Sequence, residues 1–202
     1  MNTTLDEIKY TIDKTLLAIN SYNLHEKYNE YQEVYEIFKD KEGNEHFANT
    51  AANFLHGAEN LKSLWHDKYP NPTLLDEKSY KLLNDPLEKD LIDELTYTVH
   101  KAKCYLQTIE KATEFNNVVN NAQKETSLEA QQELIDLAKI YFHQTMEQGE
   151  SCNKLYPLTT EIEPLIQPLI EEAKEKLFAS LDVAKSIEAS LLGDSSADSY
   201  VE

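Results

Sequence analysis

Residues 159–176 read TTEIEPLIQPLIEEAKEK, an apolar helical stripe that carries prolines at 164 and 168. At 100° per residue Ile162, Leu165, Ile166, Leu169 and Ile170 cluster on one side, while Pro164 and Pro168 fall together on the other. The stripe continues through Ala173, Leu177, Ala184, Ile187 and Leu191, which predicts a helix from Thr160 to Leu192. Each interior proline frees a carbonyl four residues back and wedges the helix open on its own side. The helix should therefore curve with its apolar side concave, around the protein's own core or around a docked partner. An alternative makes Pro168 the first helical residue and leaves 160–167 as a turn.

The same periodicity runs through the preceding sequence. Thr4 and Glu7 have capping-box spacing, and Leu5, Ile8, Ile12, Leu16 and Ile19 predict a first helix to about Tyr22, ended by Asn23. Leu24, Tyr28, Tyr31, Tyr35 and Phe38 then come in steps of four and three, a seam built largely of tyrosine. Phe47, Ala51, Phe54, Ala58, Leu61 and Trp65 mark a third helix, stopped by Tyr69-Pro-Asn-Pro72. A short helix over 73–84 precedes Pro86. Leu87 to about Lys124 reads as one long helix, with Leu91, Leu95, Val99, Ala102, Leu106, Ile109, Phe115 and Val119 inward and a break or bend expected at Asn116-Asn117. Ser127 caps the next helix, Gly149 ends it, and Cys152–Thr159 is a loop.

The expected architecture is all-α, a multi-helix bundle of about seven helices with one long central helix and a curved C-terminal helix. Residues 1–192 form one domain, with a subdivision expected near 69–86, and the polar stretch GDSSADSYVE at 193–202 reads as a disordered acidic tail. With 202 residues the chain is long enough to bury a sizeable core.

Composition narrows the function. The chain has 19 Lys, no Arg and 37 Asp plus Glu, for a formal charge of −18. Arginine is the side chain suited to bidentate recognition of phosphate and guanine, so its absence and the negative field disfavour nucleic acid and anionic lipid and favour basic partners. The field is strongest in the last third, where 127–202 carries 5 Lys against 15 acids. The start MNTTLDEIKY lacks the basic and apolar regions of a signal peptide, and no apolar run approaches the ~18 residues that a membrane span requires. Cys104 and Cys152 have no zinc-type spacing; two thiols in a chain of this size read as a reduced cytoplasmic protein, with a single disulfide left open.

No nucleotide, hydrolase or metalloprotease motif occurs, and four glycines are too few for a phosphate-cradling loop. His143 with Glu147, and His56 with Glu59, have the spacing for two metal ligands on one helix face, but isolated pairs of this kind are usually surface contacts. Asp90, Asp93, Glu94 and Tyr97 lie opposite the apolar stripe of the long helix and read as solvated charge, because acid–base work needs a pocket that separates pKa values. No catalytic, cofactor or metal residue is assigned. Tyr28, Tyr31, Tyr35, Phe38 and Trp65 are the candidate partner-binding residues, since exposed aromatics anchor interfaces; the same residues could equally be core.

In length, acidity and helix content the chain resembles the adaptor and chaperone subunits of bacterial type III and type IV secretion machines, in particular the acidic adaptor of the Dot/Icm coupling complex. The resemblance implies a non-enzymatic cytoplasmic protein that binds a coupling-ATPase tail and effector proteins. It transfers no functional residue. The alternative is an acidic immunity or antagonist protein that blocks a basic active site by mimicry.

Overall fold

The structure, a computed structural model, describes residues 4–85 and 89–197. Among these there are six helices and no strand: α1 (Leu5–Phe38), α2 (Glu45–Asp67), α3 (Asp76–Asn84), α4 (Lys89–Lys124), α5 (Leu128–Leu155) and α6 (Glu163–Ala197). The chain forms two compact units, 1–100 and 101–202, dividing inside α4.

Six helices replace the expected seven because the first two are one. Asn23 is a poor helix former, but it lies on the exposed side of α1, and neither Gly nor Pro accompanies it to stop the helix. The capping box is present, with Thr4 and Glu7 exchanging backbone-to-side-chain hydrogen bonds of 2.8 and 3.2 Å. Asn116 and Asn117 do not interrupt α4, and Gly149 does not end α5, which continues past Cys152 to Leu155. The start expected at Leu87 lies outside the described residues. Ser127 caps α5 by accepting from the Ala130 amide.

In unit 1, α1 and α2 run antiparallel, as the pairs Phe38–Phe47, Tyr31–Phe54 and Ser21–Ala58 show. The short α3 is tied to α1 by Lys14. This ammonium is 3% exposed and donates to the Asn71 carbonyl at 2.9 Å and to Asp76 Oδ2 at 2.6 Å. It also lies 4.4 Å above the ring of the buried Trp65. Tyr10 Oη accepts from the Asn71 amide at 2.9 Å, so the YPNP turn is held from both sides. A buried ammonium is tolerable only with its charge and donors answered, which these groups do.

Unit 2 repeats this plan. Lys101, 3% exposed, donates to the Leu158 carbonyl at 2.6 Å and to Glu163 Oε2 at 3.0 Å. In both units the carbonyl lies 57 residues and the carboxylate 62 residues beyond the lysine. Every member of the second set sits 87 positions after its counterpart: Lys14 to Lys101, Asn71 to Leu158, Asp76 to Glu163. The sequence carries the same register. Tyr10–Lys14 is YTIDK and Tyr97–Lys101 is YTVHK; Tyr69–Asp76 is YPNPTLLD and Tyr156–Glu163 is YPLTTEIE. α3 and α6 both begin on the latched carboxylate, where a negative charge also suits the helix N-terminus.

The units differ in two places. α4 and α5 are joined by a disulfide between Cys104 and Cys152, with sulfurs 2.02 Å apart, so the two cysteines are paired rather than free thiols. In the 87-residue register Leu17 and Trp65 occupy those positions in unit 1. The third helix also differs in length: α3 has 9 residues and α6 has 35. The extra length of α6 closes a core in which Ala112, Phe115, Val119, Ala122, Ile135 and Ala138 are buried against Leu177 and Ala184. Pro164 lies in the first turn of α6, where no amide partner is needed, and Pro168 lies inside the helix. Both are exposed, while Ile162 and Ile166 are buried. α6 passes through Gly193 to Ala197, where the sequence reads as tail; residues 198–202 lie outside the described residues.

Candidate partner-binding face

Four of the five candidate aromatics share a face. Tyr28, Tyr31, Tyr35 and Phe38 succeed one another along the second half of α1, and all four are half-buried. Their inner edges meet α2, with Tyr31 and Phe54 rings 5.4 Å apart and Phe38 and Phe47 rings 6.1 Å apart. Tyr28 meets His25 of α1 at 5.6 Å, and none of the four is fully buried. Trp65 does not belong with them. It is 6% exposed, lies beneath Lys14 and packs near His66 and Tyr80, so its role is in the latch of unit 1.

An open depression of about 500 Å³ runs beside Tyr28, lined by Glu26, Asn29, Glu30, Gln32, Glu33 and Lys89. Three carboxylates stand against Lys89 and against Lys27, which pairs with Glu30 at 2.6 Å, so the net charge of the depression is negative. Next to it in sequence, Tyr22, His25, Leu55, Lys62 and Leu82 line a cleft of about 270 Å³ that ends where α3 ends, at Asn84. The Tyr22 hydroxyl is buried without a hydrogen-bond partner. Burial, with Glu26 and Asp93 nearby, pushes its pKa above the ordinary tyrosine value. A cleft of about 230 Å³ occupies the corresponding place in unit 2, lined by Thr108, Ile109, Ala112, Thr145, Gly149 and Ile170. Those six are the 87-residue counterparts of Ser21, Tyr22, His25, Ala58, Lys62 and Leu83, all of which line the first cleft. In unit 2 the lining continues along α6 with Ala173, Lys174 and Leu177.

The remaining charged candidates stand apart from these clefts. His143 and Glu147 meet at 2.9 Å with both side chains well exposed, and His56 and Glu59 are also exposed. Among the described residues no three His, Cys, Asp or Glu side chains gather to hold a metal ion. Glu94 pairs with Lys78, and Asp90 and Asp93 are exposed. No helix among the described residues is long and apolar enough to cross a membrane.

Helical periodicity does not single out Lys14 or Lys101, because a lysine within an apolar stripe reads as a register slip. The signal that identifies them is recurrence, YT-x-x-K and then YP-x-x-T-x-[LI]-[DE], at a fixed interval of 87 residues.

No known family, curated protein or solved structure matches the chain.

Proposed function

We propose that the protein is a non-enzymatic adaptor or chaperone that holds a segment of another protein on the aromatic face of α1. The observation that carries this reading is the row Tyr28, Tyr31, Tyr35 and Phe38, only partly buried and held on α2 through Tyr31 and Phe38, beside a depression lined by Glu26, Glu30 and Glu33. Rigid aromatics supply contact area at low entropic cost, and the surrounding carboxylates favour a basic partner. Presentation of substrate proteins to a secretion machine is one specific form of this reading, suggested by the acidic, helical character of the chain and tested by the state of its cysteines. Affinity capture under native conditions tests the general reading: one or a few proteins recovered in stoichiometric amounts support it, and repeated recovery of the chain alone sinks it.

The compartment is open to a separate test. A secretion-coupling adaptor works in the reducing cytoplasm, whereas the Cys104–Cys152 bridge favours an oxidising one. Alkylation of the native protein without reductant decides between them, and we expect neither cysteine to be labelled. Labelling of both would return the chain to the cytoplasm.

The acidic depression also favours a second reading, in which the chain blocks a basic active site by mimicry. Such a complex must weaken steeply with ionic strength, and a salt-insensitive one rules this mechanism out.

A further inference from the structure

The 87-residue register shows what is missing from the aromatic face. In unit 2 the second half of α6 lies over α4 and α5, and Phe115, Val119, Ala122 and Ile135 beneath it are each no more than 1% exposed. Their counterparts in unit 1 are Tyr28, Gln32, Tyr35 and Ala48, and all four are half-buried. The difference has a plain cause. α3 stops at Asn84, the counterpart of Glu171, so unit 1 has no equivalent of the α6 residues 172–197. The opening turns of α4 belong to unit 1, yet they leave these side chains partly uncovered.

We infer that the α1–α2 hairpin of unit 1 is the receptor for a basic amphipathic helix of a partner protein, which lies where the second half of α6 lies in unit 2. This deepens the adaptor reading and rests on it. The sister unit specifies the ligand. The segment that covers its hairpin presents Ala173, Leu177, Leu181, Ala184, Ile187 and Leu191 at helical spacing, the pattern by which a helix fills an apolar groove. A helix of about 20 residues, ~30 Å long, reproduces that span. Two features separate the unit 1 site from its sister. Gln32 stands where unit 2 has Val119, so the partner helix places a polar side chain there. Glu26, Glu30 and Glu33 line the depression that opens beside Tyr28 and Gln32, so lysine or arginine on the side of the partner helix that faces this edge meets carboxylates. That charge preference argues against a second copy of this chain as occupant, because α6 itself carries seven acids and three lysines. The cleft at the end of α3 gives the helix its entry point, and a donor or acceptor at the partner's first turn can satisfy the Tyr22 hydroxyl.

The test uses the full chain and a labelled synthetic peptide of residues 172–191 with lysine at 172, 175, 182 and 188. Fluorescence anisotropy should show saturable one-to-one binding, about tenfold tighter than for the unaltered acidic peptide. Tyr28→Ala with Tyr35→Ala should weaken binding at least tenfold, which also assigns it to unit 1 rather than to exchange with α6. Because truncation of half-buried tyrosines could loosen the hairpin, Glu30→Lys with Glu33→Lys provides the second variant. Both side chains are exposed, so the melting temperature should hold while affinity at low salt falls about tenfold. Equal binding by a peptide with aspartate at 177, 181 and 191, or unchanged binding by both variants, overturns the proposal. So does a stable homodimer whose formation excludes the peptide. A natural partner that binds both variants at full strength would leave the adaptor reading standing and remove this face as its seat.

Discussion

Unit 1 and unit 2 share a latch and differ in the length of helix beyond it. In each, a buried lysine on the first helix takes a loop carbonyl and the first carboxylate of the third helix, at the same two sequence intervals. After that point one helix ends within nine residues and the other continues for more than thirty. The latch therefore fixes where the third helix begins and says nothing about where it stops. Covering the hairpin is a separate decision, made in unit 2 by this chain itself and left open in unit 1.

The most severe way to test the comparison is to remove the latch from each unit in turn. Lys14→Ala and Lys101→Ala each remove the ammonium from the latch and leave its carboxylate with one remaining donor, the Thr73 hydroxyl in unit 1 and the Thr160 amide in unit 2, and each should lower unfolding free energy by about 3 kcal/mol in a denaturant titration. Equal losses support equivalence, and tolerance at one site would break it. Cys104→Ser with Cys152→Ser removes a cross-link spanning 48 residues and should cost about 2–4 kcal/mol, read as a fall in melting temperature. The comparison is sharpened by moving the bridge: Leu17→Cys with Trp65→Cys places thiols at the corresponding positions of unit 1, where loss of alkylatable thiol on air oxidation would show the same geometry.

Smaller effects are expected at single side chains. Tyr22→Phe removes a buried hydroxyl that has no partner and should stabilise unit 1 by about 1 kcal/mol in the same titration. The raised pKa gives this residue a pH signature. Below the ordinary tyrosine pKa the folded and unfolded forms are both protonated. Above about 10 the unfolded chain loses the proton first, so stability falls as pH rises, and Tyr22→Phe should flatten that fall. Replacing both His143 and Glu147 by Ala, in a well-exposed pair on α5, should change stability by no more than about 0.5 kcal/mol.

The helices are legible in the sequence wherever burial and local preference agree. The stripe of α4 from Leu91 to Val119, the outward prolines of α6 and the caps at Thr4 and Ser127 are of this kind. Legibility fails where one residue is weighed alone. Asn23, Asn116, Asn117 and Gly149 are weak helix formers, but packing on either side of each carries the helix through. The bridge does not emerge from two cysteines 48 positions apart, because the approach of α4 and α5 depends on contacts distant in sequence. The face of α1 is visible as a row of tyrosines. Trp65 is near that row along the chain, yet it is buried under Lys14. That the row is half-covered emerges only from comparison with Phe115 and Val119 across the repeat, which periodicity within a single helix cannot reveal.

α4 passes unbroken from Lys89 to Lys124 through the division at His100 and Lys101. Truncation there would cut a helix between Val99 and Ala102, both fully buried, and would strip YTVH from the lysine it precedes. A chain cut at His100 consequently loses the cover of both side chains, and any change that extends the third helix of unit 1 must be made within the few residues between Asn84 and Lys89.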